Sequence, residues 1–393
     1  MKKLHVVWVN ETADSTGGCE RYIRETAGHL EERHGVRSTL LYRDVREAIA
    51  PGVREAFTGG VFPLVALREQ LEKLKPDVVY VHRLVEEDLA AQLGKTCQAL
   101  KIPALRFFHD HKLFCPREHK YTVVGRNTCT QTVGMNCFTC GGVVNKAGRG
   151  FRLTLPMTLL GQQEASRRAY TGFVLGSGYM ARHLQAHGFP QERLHTLPLY
   201  ADPPQLPPLP FAERDSQQLV FAGQLGAMGK GVDTLLQALP LVKNPVSLAI
   251  YGSGKFEGRY KELVAQLEIG SKVQWKGKAS GQTLEDAFRR AAAVVVPSRS
   301  PETFGLIGPE AMRHATPVIA TTVGGIGEWL EDNVTGLAVP SNDPAALAQE
   351  IDRLLSDPAL RARLGETGRQ RYFERFTPEH HTDNLHALLR KLA

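Results

Sequence analysis

SRSPETFGLIGPEAMRHATPVIATTVGGIGE, residues 298–328, decides how this 393-residue chain is read. It follows an apolar run, AAVVVPS (292–298), with the length and composition of a buried parallel strand. GPEAMRHA then has a helical pattern, and PVIATT (317–322) reads as the next strand. Glu302 falls on the loop and Glu310 about two helical turns further on, so the two carboxylates can grip hydroxyls on two parts of one ligand. The loop's glycines let backbone amides approach that ligand, and a helix start favours an anion. Alone, two glutamates with this gap also fit a solvated loop charge and a helix-surface residue.

The same alternation runs in both directions from this stretch. Upstream, LVFAGQ (219–224), VSLAIYGSG (246–254) and VQWKG (273–277) have strand character. DTLLQALPLV, YKELVAQL, TLEDAFRRA and DPAALAQEIDRLLSD are amphipathic helices among these strands. Further upstream, LHVVWVN (4–10), STLLYR (38–43), DVVYVH (77–82), ALRFFHD (104–110) and GFVLGS (172–177) form a second strand series. ERYIRETAGHLEERHG (20–35) is a helix ending on a C-cap glycine. Alternating strands and helices imply parallel sheets with right-handed crossovers. LPLYADPPQLPPLPFAERDSQQ (197–218), with six prolines, separates the two series and marks the domain boundary. Two α/β domains are expected, 1–203 and 204–375, with 376–393 as a helix crossing back to the first.

Charge is uneven. Residues 101–200 hold 13 basic and 4 acidic side chains, which suggests an anionic partner or a solvated basic face. No apolar run reaches the ~18 residues of a membrane span, and LHVVWV is too short for a signal h-region. The expectation is a cytoplasmic chain with reduced cysteines. KAGRGFRLTLPMTLLGQQEASRRAY (146–170) mixes Arg149, Arg152, Arg167 and Arg168 with Phe151, Leu153, Leu155, Met157, Leu159 and Leu160. It fits either a peripheral segment on an anionic inner leaflet or a core helix with solvated ends. No aromatic or groove-reading motif supports a nucleic-acid partner.

The 298–328 stretch resembles the signature of the retaining family-4 glycosyltransferases. The match includes Glu302, Glu310, PVIAT, Gly324-Gly325, Glu328 and the tail NVTGLAVPSNDPAALAQEIDRLL. LVFAGQLGAMGKGVDTLLQAL (219–239) is similar to the family's first nucleotide-domain strand and phosphate loop. GGCERYIRETAGHL (17–30) is similar to its glycine-rich N-terminal loop. The resemblance implies the GT-B fold, two facing Rossmann-like domains with a central cleft, the N-terminal one for acceptor and the C-terminal one for a nucleotide-diphosphate sugar. It places Glu310 on the ribose, Glu302 on the donor sugar and Lys230 on the diphosphate. Backbone amides of Phe304, Gly305, Leu306, Gly17 and Gly18 assist, and His109 stands at the reaction centre. The base is expected near Lys278 and Ala279. Where the family carries an arginine this chain has Gln224, and Arg299 or Lys255 are the cations to replace it. The implied reaction transfers a hexosyl- or N-acetylhexosaminyl-type sugar with retention, without a catalytic metal. Its donor would be of UDP or GDP type, and its acceptor a saccharide or lipid-linked glycan in envelope or exopolysaccharide assembly. A GT-B sugar-nucleotide epimerase and a non-catalytic glycosyltransferase-like partner stay open beside it.

HDHKLFCPREHKYTVVGRNTCTQTVGMNCFTCGG (109–142) holds four of the six cysteines, spaced Cys115-x13-Cys129-x7-Cys137-x2-Cys140. The CxxC pair has zinc-knuckle spacing, and four thiolates would close a structural zinc site. Disulfides and free thiols remain alternatives. A closed site would staple a long acceptor-side insertion.

Overall fold

The computed structural model describes residues 3–14, 17–45, 49–122, 127–141, 143–147 and 150–393. The chain divides into two units. One comprises Met1–Glu118, Gln131–Leu197 and Pro378–Ala393, and the other His119–Thr130 and Pro198–Thr377. The division after the first sheet falls at Leu197/Pro198, and 119–130 groups with the second unit.

In the first unit, strands β1 (His5–Asn10), β2 (Arg37–Tyr42), β3 (Val61–Pro63), β4 (Val78–Val81) and β5 (Ala104–Phe107) come first. A hairpin, β6 (Val144–Ala147) and β7 (Gly150–Leu153), precedes β8 (Gly172–Leu175) and β9 (Leu194–Thr196). Seven of these form a parallel sheet ordered β3-β2-β1-β4-β5-β8-β9. Helices α1 (Gly18–His34), α2 (Leu67–Leu74), α3 (Glu87–Ala99), α4 (Asn136–Thr139), α5 (Pro156–Ala169) and α6 (Gly178–Ala186) accompany it. Every residue of β1 is buried, as a strand covered on both faces requires. Gly35, at φ 64°, ends α1 by donating its N–H to Glu31 O at 2.8 Å, a left-handed cap that a side chain would strain.

The second unit holds β10 (Asp215–Ala222), β11 (Ser247–Tyr251), β12 (Val273–Gly277), β13 (Ala291–Val296), β14 (Val318–Thr321) and β15 (Leu337–Val339). They form a parallel sheet ordered β12-β11-β10-β13-β14-β15. Its helices are α7 (Val232–Ala238), α8 (Glu257–Gln266), α9 (Gln282–Arg290), α10 (Ile307–Met312), α11 (Pro344–Ser356) and α12 (Pro358–Arg375). The core on one face includes Leu219, Leu235, Leu248, Ile250, Ile319 and Ile351. Truncating one of these leucines or isoleucines to alanine should cost about 2–5 kcal/mol. The last helix, α13 (Pro378–Leu392), packs in the first unit against α1. Tyr22 Oη meets His381 Nε2 at 2.8 Å, and Asp383 accepts from Arg33 at 3.1 Å.

Two local expectations change. ALRFFHD was expected to be strand to Asp110, but its pairing with β8 stops at Phe107. His109 therefore lies in the loop beyond the strand. The 146–170 segment is neither one surface helix nor one core helix. It starts in the hairpin, and Pro156 then opens α5, whose Leu159, Gln163, Ser166 and Ala169 are buried. Arg149 lies outside the described residues, as do the side chains of Phe151 and Arg152. Among the described residues no helix is long and apolar enough to cross a membrane.

Candidate active site

In each sheet the strand order reverses between two adjacent strands, β1 and β4 in one, β10 and β13 in the other. Loops leaving the carboxyl ends of such strands splay apart and leave a crevice where open α/β folds bind ligands. Of the predicted residues, Gly17 and Gly18 lie beyond β1, Lys230 beyond β10, and Arg299 and Glu302 beyond β13.

In the second unit, the loop after β10 carries Lys230 and the loop after β13 carries Glu302. Lys230 Nζ lies 2.8 Å from Glu302 Oε1, and Ser298 Oγ donates to the same oxygen at 2.7 Å. The lysine side chain is 36% exposed and the glutamate 18%, so the pair is reachable by a ligand. Gly324 fixes Glu302 from below. Its φ is 70°, and a Cβ there would stand 2.3 Å from Glu302 O. The next residue's N–H, on Gly325, donates to Glu302 O at 2.6 Å. Phe304, buried, and Gly305, at φ 83°, lead through Leu306 into α10. A helix start leaves backbone N–H groups without intrahelical acceptors. Glu310 sits half-buried in the first turn of α10. Trp329 Nε1 donates to Phe304 O at 2.9 Å and holds the loop against its own unit.

Arg299 does not stand in this site as an open cation. It is 2% exposed, and its guanidinium lies 2.7 Å from Asp233 and 2.6 Å from Thr234 Oγ1. Its N–H and that of Ser300 both donate to Gly229 O, at 2.7 and 3.0 Å. Taking a guanidinium out of water demands a nearby counter-charge, which Asp233 supplies. Arg299 therefore ties the two loops together and leaves Lys230 as the exposed partner of Glu302. Gln224, Lys255 and Lys278 are exposed.

Tyr121 and Thr128 touch the same loops. Tyr121 and Thr128 form an antiparallel bridge, Thr128 Oγ1 donates to Arg299 O at 2.9 Å, and Lys120 and Tyr121 are buried. This contribution was not readable in the sequence, because nothing in its residue pattern distinguishes one unit's surface from the other's.

In the first unit, Gly17 caps α1 and Gly18 begins it, at the carboxyl end of β1. His82 follows β4, and His109 follows β5. Their rings share a hydrogen bond, His82 Nδ1 to His109 Nε2, at 2.9 Å. His82 stacks on Trp8 with centroids 5.4 Å apart, and His109 packs on Phe107 at 4.2 Å. Burial pushes His109 down to about 3, with Arg83 adding to the effect, and burial and His109 hold His82 well below its usual range. Both imidazoles are neutral near pH 7. Cys19, in the first turn of α1, joins them: one ligating atom from each of Cys19, His82 and His109 lies within 4.8 Å of the others. The sequence named His109 but missed His82 and Cys19, although His82 ends DVVYVH just where a switch-point residue falls.

Among the described residues no disulfide joins any two of the six cysteines. Among the described residues, the His, Cys and carboxylate group close enough to share an ion is Cys19–His82–His109. Cys129 belongs to the 119–130 segment held on the second unit, whereas Cys115, Cys137 and Cys140 belong to the first. The Cys129 N–H is committed to Lys120 O at 2.7 Å.

Residues 16–203 match the family model described as Glycosyltransferase Family 4, and residues 210–371 match Glycosyl transferases group 1. Both halves of the chain thus match glycosyltransferase family models, one model each. Among curated relatives, it is 33% identical over 165 residues to an uncharacterized glycosyltransferase of Methanocaldococcus jannaschii, covering 42% of each chain. It is 37% identical over 171 residues to the D-inositol 3-phosphate glycosyltransferase of Frankia alni, covering 40% of this chain and 42% of that one. The matches thus span about two fifths of these relatives' length. Among solved structures, HepE of Anabaena in complex with UDP aligns with a TM-score of 0.75 at 16% identity, covering 99% of this chain and 100% of that one. Sucrose-phosphate synthase of Thermosynechococcus elongatus aligns at 0.73 and 20% identity, covering 99% of both. These likenesses establish the GT-B fold: two parallel-sheet α/β domains.

Proposed function

We propose that this glycosyltransferase moves a hexosyl- or N-acetylhexosaminyl-type sugar, with retention, from a nucleoside-diphosphate sugar to a saccharide or lipid-linked acceptor. The setting would be assembly of a cell-envelope or extracellular polysaccharide. The observation that carries this is the Lys230–Glu302 pair at the β10/β13 switch point, with Glu310 on the helix that follows. Lys230 offsets the charge that builds on the departing diphosphate, Glu302 holds the sugar hydroxyls and Glu310 the ribose. Backbone N–H groups at Phe304, Gly305 and Leu306 complete the anion cradle. Neutral His109 positions acceptor or sugar by hydrogen bonding, with no proton charge of its own to give near pH 7. Attack on the face the diphosphate leaves, with that phosphate taking the acceptor's proton, would account for retention. No catalytic metal enters this scheme.

HepE was solved with UDP and with UDP-glucose, which makes uridine nucleotides the first probes for this chain, with guanosine nucleotides beside them. The decisive experiment incubates the protein with UDP- and GDP-sugars, with and without a lipid-linked or free glycan acceptor. Acceptor-dependent release of nucleoside diphosphate is the expected result. Altered sugar without acceptor would replace the reading with epimerisation.

A second reading, a non-catalytic partner, has one observation in its favour. Gln224 stands in place of a cation and Arg299 is sealed by Asp233, so neither position adds a charge beside Lys230 where the family resemblance expects two. Tight nucleotide binding without turnover on any sugar would select it. Membrane contact belongs to the same proposal. Leu153, Leu155 and Met157 are exposed around the start of α5, as are Met135, Phe138 and Val144 nearby in the chain. Apolar side chains beside a basic segment suit an anionic leaflet. Met157→Glu should then weaken sedimentation with phosphatidylglycerol vesicles, and unchanged sedimentation would remove the membrane from the proposal.

A further inference from the structure

We propose that Cys19, His82 and His109 form a site for a thiophilic divalent cation of the zinc class, and that filling it silences transfer. The second part rests on the role given to His109 above, and the first stands without it. The three side chains come from different elements, α1 and the loops after β4 and β5, and converge at the carboxyl edge of one sheet. One thiol and two imidazoles are the donor set zinc and other borderline-soft ions prefer.

The geometry is close to what a metal needs. Zinc bonds of about 2.0–2.1 Å to nitrogen and 2.3 Å to sulfur put tetrahedral ligand atoms roughly 3.3–3.6 Å apart. His82 Nδ1 and His109 Nε2 are 2.9 Å apart, and the ligating atoms of the three residues lie within 4.8 Å. Closing the set demands a movement on the order of 1 Å, within reach of a χ1 adjustment at Cys19. That thiol is lightly held, its Sγ lying 3.6 Å from Asn10 Oδ1.

The surroundings favour a ligand as well. His82 is 2% exposed, and its Nε2 is buried without a hydrogen-bond partner. The two nitrogens of an imidazole point apart, so this atom does not face His109; it is where the ring proton sits when Nδ1 gives its lone pair to the cation. Trp8 stacked against it fixes its plane. Cys19 and His109 are only half-buried, which leaves an approach and an open fourth position. Glu20 and Asp110 face the thiol with negative charge, and Arg83 opposes them.

The exchange balances simply. The ring that donates the His82–His109 hydrogen bond first moves that proton to its other nitrogen, so that both facing nitrogens offer a lone pair to the cation, and the proton of the Cys19 thiol passes to solvent as the sulfur–metal bond forms. The His82–His109 hydrogen bond is given up in the same step. With its Nε2 on the metal, His109 no longer has that nitrogen for acceptor or sugar.

The test titrates reduced, chelator-stripped full-length protein with Co²⁺, read by its thiolate charge-transfer absorption, and with Zn²⁺ against a chromophoric chelator. Wild type should bind one equivalent more than Cys19→Ala, and His82→Asn should lose the same equivalent. Metal-free Cys19→Ala should turn over like wild type, while zinc at the wild-type binding concentration should suppress nucleoside diphosphate release at least ~10-fold in wild type only. Equal stoichiometry and affinity in wild type and Cys19→Ala, with matching melting curves for both, would overturn the site. Zinc inhibition that persists in Cys19→Ala would overturn it too, assigning the metal to the other cysteines. An extra equivalent bound without inhibition keeps the metal site and instead removes His109 from the transfer chemistry.

Discussion

Replacing Lys230 by alanine separates the catalytic reading of the β10/β13 crevice from a structural one. The side chain is 36% exposed, and its one ion pair is with Glu302, 2.8 Å away. Pairs this open contribute about 0–1 kcal/mol to folding. Ser298 still donates to Glu302 at 2.7 Å, so the carboxylate is not abandoned when the lysine goes. The melting temperature should therefore move by only a few degrees. Turnover should behave differently. A charge aimed at a leaving diphosphate acts mainly in the transition state, where a lost contact of this kind costs about 10²–10³-fold, or roughly 2.7–4 kcal/mol. Gln224 is neutral and Arg299 is paired with Asp233 inside the unit, so neither compensates for the lost lysine. The assay is nucleoside diphosphate release at saturating donor, run beside a thermal melt. Glu302→Gln should also keep the fold and lose most turnover, and the double variant should be scarcely slower than the worse single one, since the pair acts as a unit. A Lys230→Ala enzyme within a few-fold of wild type, melting as wild type does, would refute the assignment.

Glu310→Ala should weaken the free nucleoside diphosphate by about 10-fold, the scale of one lost charged hydrogen bond; calorimetry showing unchanged affinity would take the ribose away from Glu310. His109, unprotonated down to about 3 when folded but near 6.5 when unfolded, makes the unfolded chain bind the extra proton between those values. Stability should thus fall as pH drops below about 6.5, by about 2 kcal/mol at pH 5 from this residue, and His109→Asn should flatten the loss in urea unfolding. The same shift means that the rate should not titrate through His109 near pH 6.5. Finally, if Cys115, Cys129, Cys137 and Cys140 do close around zinc, reduced protein should carry a metal equivalent that Cys137→Ser loses and Cys19→Ala keeps; elemental analysis finding none settles that stretch as free thiols.

The parallel sheets were legible because burial on both faces writes itself as short apolar runs. LVFAGQ, AAVVVPS and PVIATT all landed on strands, and Gly35 ended α1 as a C-cap glycine should. Less legible were elements whose residues carry no such pattern. The short strands Val61–Pro63 and Leu194–Thr196 are defined by their neighbours, and the Val144–Leu153 hairpin lies inside a stretch whose composition suggested a helix or a membrane surface. The site shows the same divide. Glu302, Glu310 and Lys230 could be placed because local motifs carry them. The Arg299–Asp233 pair was closed to sequence reading because its meaning depends on burial, which turns an apparent binding cation into an internal brace.

That brace also bears on why the cysteine stretch is where it is. Thr128 donates to the carbonyl of Arg299, and a Cβ at Gly229 would stand 3.2 Å from Tyr121 Cε1, so the 119–130 segment rests on the loop that presents Lys230. An interior-facing arginine cannot by itself hold that loop on its outer side. The inserted segment does so, with Lys120 and Tyr121 buried as its anchors. A stretch whose cysteines first suggest a metal knuckle thus makes contact with the loops that carry Gly229 and Arg299. Loosening it should reach Lys230 before it reaches either sheet.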